Sequence, residues 1–296
     1  MNKLNEIFVS TTFSTDDSKI SDVLQQCEEN GISNVELGSN HTYEENFESI
    51  VGKHSFQYLV HNYFPIPEDS FIINIASLND QIRQRSIDHI FRAIDFCECI
   101  EAGLYTFHPG FLTDPQDSNL DSSNYDFQFN DDSLQFDNRS RAFERMTTAI
   151  SDIISYSKKK SVLIAIETEG SISKKDHLIM QQPEEYERFF SLFSPDEIGI
   201  NLNLGHLNLA SKAFGFSRNE FVKLTSDFIV AMEMSHNNGE NDDHLPLVDD
   251  AWYWGLISDP IFKKVYKILE FRESNIKQLL DSIRLCVKKL NNLYFG

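Results

Sequence analysis

The sequence predicts an α/β protein, a closed (β/α)8 barrel of the TIM type, on three observations. Short apolar runs of strand length recur along the 296 residues, longer segments of helical periodicity separate them, and metal-ligating side chains fall at the C-terminal ends of the runs. Barrel enzymes build their sites at those strand ends. The alternation by itself is also compatible with an open sheet.

Eight runs qualify as strands: EIFVSTTF (6–13), NVELGS (34–39), YLVHNYF (58–64), LYTFHPG (104–110), VLIAIETE (162–169), IGINLNLGH (198–206), IVAMEMSH (229–236) and VYKILEF (265–271). Between them, Ile87, Ile90, Phe91, Ile94 and Cys97 share one helical face, as do Ile276, Leu279, Leu280, Ile283, Cys286 and Leu290. Pro183 followed by Glu184 and Glu185 starts another helix, with acids where the helix dipole favours them. Two stretches break the rhythm. Residues 111–135 form a long acidic, aromatic-studded connection, either a solvated insertion or a lid. Residues 237–260 end in Ala251-Trp252-Tyr253-Trp254, and the two tryptophans, Trp252 and Trp254, are expected to wall a sugar site or plug the barrel mouth.

Length and composition fit one domain spanning 1–296, with 41% hydrophobic residues to fill a core. A formal charge of -20 repels phosphate backbones, so neither nucleic acid nor an anionic membrane is an expected partner. Cys27, Cys97, Cys99 and Cys286 follow no zinc-ribbon or secreted disulfide spacing. The N-terminal segment has no signal-peptide core, and no run approaches the roughly 20 apolar residues of a membrane span. The expectation is a cytoplasmic protein whose outer helices offer surface for a homo-oligomer.

The strand ends carry the chemistry. His61 ends the third strand, His108 the fourth, Glu167 the fifth, Asn203 and His206 the sixth; Glu233 lies on the seventh, Asp242 and His244 follow it, and Glu270 ends the eighth. Imidazole and carboxylate without thiolate suit a divalent metal ion such as Zn, Mn, Co or Fe, and argue against a structural zinc cage. A carboxylate at the rim of an apolar sheet, as Glu167 is after Val162-Leu163-Ile164-Ala165-Ile166, must be paired or coordinated. The segment MEMSHNNGENDDHLPLVDD (232–250) concentrates such groups without one lysine or arginine, as expected where bound cations supply the positive charge.

At these residues the chain resembles the xylose-isomerase-like barrel superfamily, which includes sugar isomerases, ketose 3-epimerases, inosose dehydratases and the endonuclease IV type of nuclease. VLIAIETEG, IGINLNLGHLNLA and NNGENDDHLPL carry the likeness, the last being similar to the superfamily's Asp-x-His-Leu-Pro-Leu segment. The resemblance implies a site of His61, His108 and Glu167, another of His206, Asp242 and His244, and a central site at Glu167, Asn203, Glu233 and Glu270. Two central positions depart from the pattern, which has aspartate where Asn203 stands and histidine where Glu233 stands. The charge lost at one is regained at the other, so a retained and more oxygen-rich site is expected, favouring Mn or Mg over Zn; the competing reading is that the central metal is lost and only the flanking His-rich sites bind. The implied activity is isomerisation or epimerisation of a small sugar or polyol derivative. Glu167 and Glu270 would exchange a proton beside a metal-bound carbonyl, and His206 and His244 would bind substrate hydroxyls or a second ion. The alternative implied by the same likeness is a multinuclear metallohydrolase of a small phosphoester; a third reading is a barrel that binds a metabolite without turnover.

Overall fold

The computed structural model describes residues 7–15, 18–116, 126–127, 136–171 and 177–292. Eight parallel strands close into a barrel: β1 (Ile7–Ser10), β2 (Asn34–Leu37), β3 (Gln57–His61), β4 (Tyr105–Phe107), β5 (Ile164–Glu167), β6 (Gly199–Asn203), β7 (Ile229–Met234) and β8 (Tyr266–Leu269). Each pairs with its sequence neighbours, and β1 pairs with β8 through Phe8 and Ile268 to shut the ring. Seven of the eight runs expected from the sequence contain one of these strands and the third overlaps β3, which starts one residue earlier at Gln57; the barrel is closed.

Nine helices accompany them: α1 (Ile20–Glu29), α2 (Phe47–Val51), α3 (Asp80–Cys99), α4 (Phe136–Lys160), α5 (Pro183–Phe190), α6 (Leu204–Phe214), α7 (Arg218–Thr225), α8 (Trp254–Ile257) and α9 (Ile276–Asn292), counted among the described residues. At α5 the Glu185 carboxylate reaches back to accept hydrogen bonds from the backbone nitrogens of Gln181 and of the N-cap Gln182 at 2.8 and 3.0 Å, the return half of a capping box. Cys97 is buried and Cys99 exposed on α3, and all four cysteines are free. No helix among the described residues is long and apolar enough to cross a membrane. Of the 111–135 connection, residues 117–125 and 128–135 lie outside the described residues; Pro115–Gln116 pairs antiparallel with Asp126–Phe127.

Strand periodicity positions the site. The residues that point outward, such as Val9, Val35, Val60, Ile166, Leu202 and Leu269, join one large apolar cluster between sheet and helices. Inside the barrel, a separate cluster of Phe8, Leu59, Leu104, Ala165, Ala231 and Ile268 plugs the lower end. Because side chains alternate with period two, the next inward position along each of four strands falls one layer above the plug. Leu59 is thus followed by His61, Ala165 by Glu167, Ala231 by Glu233 and Ile268 by Glu270. On β6 the inward pair is Asn201 and Asn203, aligned with β7 across an irregularity between Ile200 and Asn201 that leaves Val230 unmatched.

Candidate metal centre

The upper layer forms the floor of a cavity of about 600 Å³ whose wall includes His61, His108, Glu167, His206, Asp242, His244 and Glu270. Seven residues separated by more than two hundred positions in sequence therefore converge on one barrel mouth. Their ligand atoms and those of two further buried carboxylates fall into compact groups: His61, His108 and Glu167 form one, His206, Asp242 and His244 another, Glu36, His61 and Glu233 a third, and Glu167, Glu233 and Glu270 a fourth at the centre, with the atoms of each within 4.8 Å of one another.

In the first group the Glu167 Oε2 atom lies 3.6 Å from His61 Nε2 and 3.4 Å from His108 Nε2. It is buried and accepts no hydrogen bond among the described residues. His108 Nδ1 donates to Glu169 Oε1 at 2.7 Å, a bond that commits Nδ1 and leaves Nε2 as the nitrogen facing Glu167. His61 Nδ1 is 2.8 Å from Thr106 Oγ1. Two imidazole nitrogens and an orphaned carboxylate oxygen facing one point make a donor set that fits a divalent ion once the nitrogens give up their protons to it.

The second group is built by α6 and the loop after β7. His206 Nδ1 donates to the Thr168 carbonyl at 2.8 Å, which turns Nε2 toward Asp242 Oδ2 at 3.4 Å. His244 Nε2 lies 2.9 Å from the same oxygen, and its Nδ1 lies 3.1 Å from Glu270 Oε2. His244 has a left-handed backbone, φ 44°, a costly conformation for a non-glycine residue and common at functional sites. It is anchored by the neighbouring strand end: the Arg272 backbone nitrogen donates to the His244 carbonyl at 3.2 Å.

Burial opposes every charge here, and the partners decide the outcome. Burial pushes Glu167 up, but His108, His206 and His61 together hold its carboxyl well below the usual carboxylate range. Glu270 is likewise pulled down to about 2, against burial, chiefly by His244. Burial lowers His108 and His244, yet the facing carboxylates, Glu167 and Glu169 for one and Glu270 and Asp242 for the other, raise each to about 9. A field that holds protons this firmly on imidazoles would hold a divalent cation in their place, because metal binding displaces ligand protons.

The central position differs from expectation. Asn203 is the N-cap of α6, and its Oδ1 accepts from the His206 backbone nitrogen at 3.1 Å. With the oxygen so committed, the Nδ2 amide faces inward, 2.9 Å from Glu167 Oε1, 3.0 Å from Glu233 Oε2 and 3.2 Å from Glu270 Oε2. Asn203 therefore presents donor hydrogens where a ligand oxygen was expected. Glu233 also accepts from Asn201 Nδ2 at 2.5 Å, and burial together with Glu167 and Glu270 raises it well above the usual range.

Trp252 and Trp254, expected in the substrate wall, lie outside it. The Trp254 indole donates to the Val248 carbonyl at 2.9 Å and its ring joins the outer apolar cluster, while Trp252 carries the Arg218 guanidinium 4.1 Å above its ring. The aromatic wall is supplied instead by Tyr63, Phe71 and Phe111. Glu36, Asn201 and Glu169 were also missed. The signal for Glu36 was present, since NVEL places a charge between two outward apolar residues of a strand.

The family model of the xylose isomerase-like TIM barrel matches residues 15–286. No curated protein sequence matches the chain. Among solved structures, the fold is similar to a D-tagatose 3-epimerase-like protein, with TM-score 0.73, 16% identity and 98% of each chain covered. It is also similar to the TTHB071 protein from Thermus thermophilus soaked with zinc chloride, with TM-score 0.63, 16% identity and coverage of 96% of this chain and 98% of that one. The D-psicose 3-epimerase of Clostridium cellulolyticum H10, solved with D-tagatose, aligns with TM-score 0.64 at 9% identity over 98% of both chains.

Proposed function

Since the chain belongs to the xylose isomerase-like TIM barrel family, we propose that it is a divalent-metal-dependent isomerase or epimerase of a small sugar-like carbonyl compound. The observation that carries this reading is the pair Glu167 and Glu270, two carboxylates on the cavity floor whose neighbours keep them ionised at neutral pH. Both reach the same Asn203 amide, at 2.9 and 3.2 Å, so they flank one point of the floor.

His61, His108 and Glu167 would hold one ion, and His206, Asp242 and His244 another. Bound there, a divalent ion supplies the Lewis acidity that polarises a carbonyl and so acidifies the neighbouring C–H. One carboxylate of the pair, ionised, would accept the carbon-bound proton, and the other, once it has taken up a proton from solvent, would deliver it to the opposite side of the carbon. Glu167 can serve both roles because Oε2 faces the imidazoles while Oε1 faces the centre. Tyr63, Phe71 and Phe111 exclude water above the floor and offer ring faces to an apolar sugar surface. The relatives named for tagatose and psicose epimerisation suggest ketohexoses as the first compounds to try.

The test is incubation of the protein with a panel of ketoses and aldoses in D2O, with Mn, Mg, Co or Zn, following interconversion and deuterium entry at the carbon beside the carbonyl. Exchange with at least one sugar is expected and should fall by about 10²-fold or more in Glu270→Gln. Absence of both interconversion and exchange with every metal would refute the reading. A metallohydrolase is the second reading, favoured by the two complete His-rich groups. Hydrolysis of a small phosphodiester without sugar exchange would establish it; duplex DNA is a poor substrate for a chain at -20, because a duplex carries one negative charge per roughly 1.7 Å.

A further inference from the structure

We infer that the centre of this barrel mouth is closed to metal by the Asn203 amide, so that divalent ions occupy only the two flanking groups. The resemblance places an ion at the centre, held in part by an aspartate where Asn203 stands. An aspartate there has two equivalent oxygens: one caps the helix while the other faces the centre. An asparagine has one oxygen and must choose.

The local structure makes that choice. The His206 backbone nitrogen opens α6 and needs an acceptor, which Asn203 Oδ1 provides at 3.1 Å. Rotating the amide to aim Oδ1 at the centre would set its NH2 against that N–H, donor against donor. The Asn203 backbone is itself pinned by a 2.9 Å bond from its nitrogen to Thr168 Oγ1, and Gly205 packs so closely that a Cβ there would sit 3.2 Å from Asn203 Oδ1. The NH2 accordingly stays within 3.2 Å of one oxygen from each of Glu167, Glu233 and Glu270. A cation among those three oxygens would face two positively polarised hydrogens instead of a fourth lone pair.

The Glu233 exchange fits the same arrangement. Where the resemblance places an imidazole, this chain has a carboxylate that accepts from both Asn203 and Asn201. A donor replaces an acceptor on β6, and an acceptor replaces an imidazole on β7. The centre becomes a hydrogen-bonded knot that joins Glu167 to Glu270 without an ion between them, and the flanking groups keep their full donor sets.

The inference rests on the proposed metal-dependent reading only for the flanking ions, and the experiment separates the two. Metal content per chain is measured by elemental analysis after loading with Zn or Mn and desalting, in the wild type, Asn203→Asp, and Asn203→Asp with Glu233→His. Each variant is expected to retain one ion more than the wild type, two becoming three. Zero in the wild type and one in the variants would refute the metal-dependent reading and still support the closed centre. Equal content in wild type and both variants would overturn the closed centre. A wild-type background with His61, His108, His206 and His244 all changed to Ala provides an arm independent of Asn203: loss of all ions supports the inference, and retention of one overturns it.

Discussion

Glu167 is the residue on which the site turns, because its two oxygens serve different neighbours. Oε2 faces His61 and His108, and Oε1 lies 2.9 Å from Asn203 Nδ2 and 3.1 Å from His206 Nδ1. The support behind it is as specific. Glu169, two residues on, fixes His108 through a 2.7 Å bond to Nδ1, so the ring can present only Nε2 to an ion. Partners of this kind are worth about 10- to 100-fold in metal affinity. Glu169→Gln is accordingly expected to weaken the ion of the first group by that factor, measured by competition with a chromophoric chelator, while the affinity of the second group stays unchanged. A loss shared equally by both groups would show a general structural effect instead. His61, Glu167, Glu233 and Glu270 were legible in the sequence as inward positions because each follows an apolar run by the two-residue step that turns a barrel strand from plug to cavity. Glu169 and Asn201 were not, since which side chain a buried group bonds depends on contacts across strands that no local pattern records. Asn203 was legible as a position, but the direction of its amide was not, because that direction follows from Oδ1 capping α6 at the His206 backbone nitrogen.

At the scale of elements, the decisive contact joins the end of β5 to the start of α6. Gly170 runs so close to this turn that a Cβ placed on it would lie 2.0 Å from the His206 carbonyl oxygen, a backbone atom that cannot swing aside. Gly170→Ala must therefore push α6 away, carrying His206 from Asp242 and straining the Asn203 cap. Overpacking of this kind costs about 1–3 kcal/mol. The expected outcome is a lower denaturation midpoint with an unchanged slope, together with loss of the second group's ion ahead of the first group's. Wild-type stability in Gly170→Ala would mean that the turn relaxes freely and that the close approach positions nothing. The strands around this contact could be read from sequence because parallel strands covered on both sides appear as nearly continuous apolar runs. The segment 251–254 could not be placed, because a run of aromatic residues reports burial and is silent on which side of the barrel wall is buried. Here α8 turns the Trp254 ring into the outer cluster, and the cavity takes its rings from Tyr63 and Phe71 after β3.

For the whole molecule, the net charge of -20 and the buried carboxylates of the barrel set how stability responds to pH, through contributions of opposite sign. Glu36 and Glu233, raised well above the usual range first of all by burial, keep their protons to higher pH in the fold than in the unfolded chain, so they favour the fold as pH falls. Histidines buried without a carboxylate do the reverse. His89 on α3 is buried, stacks at 5.3 Å on the Tyr63 ring that lines the cavity, and is lowered from 6.5 to about 4, by burial first and then by Arg92. Its folded pKa lies below its unfolded one, so the contribution is fully present above pH 6.5 and is lost as pH falls toward 4, where the unfolded state alone takes up the proton. A total pH profile mixes these groups, and a difference isolates one. In His89→Leu the titration is gone while a pH-independent packing change remains, so the stability of the variant relative to wild type should rise by up to about 1.4 kcal/mol per pH unit as pH drops from 6.5 to 4 and stay constant above 7. Urea melts of the two proteins at matched pH values provide the measurement. A difference that does not change across that window would mean that the folded state accepts the proton on His89 as readily as water does, and that the ring behind Tyr63 is not held in the neutral form.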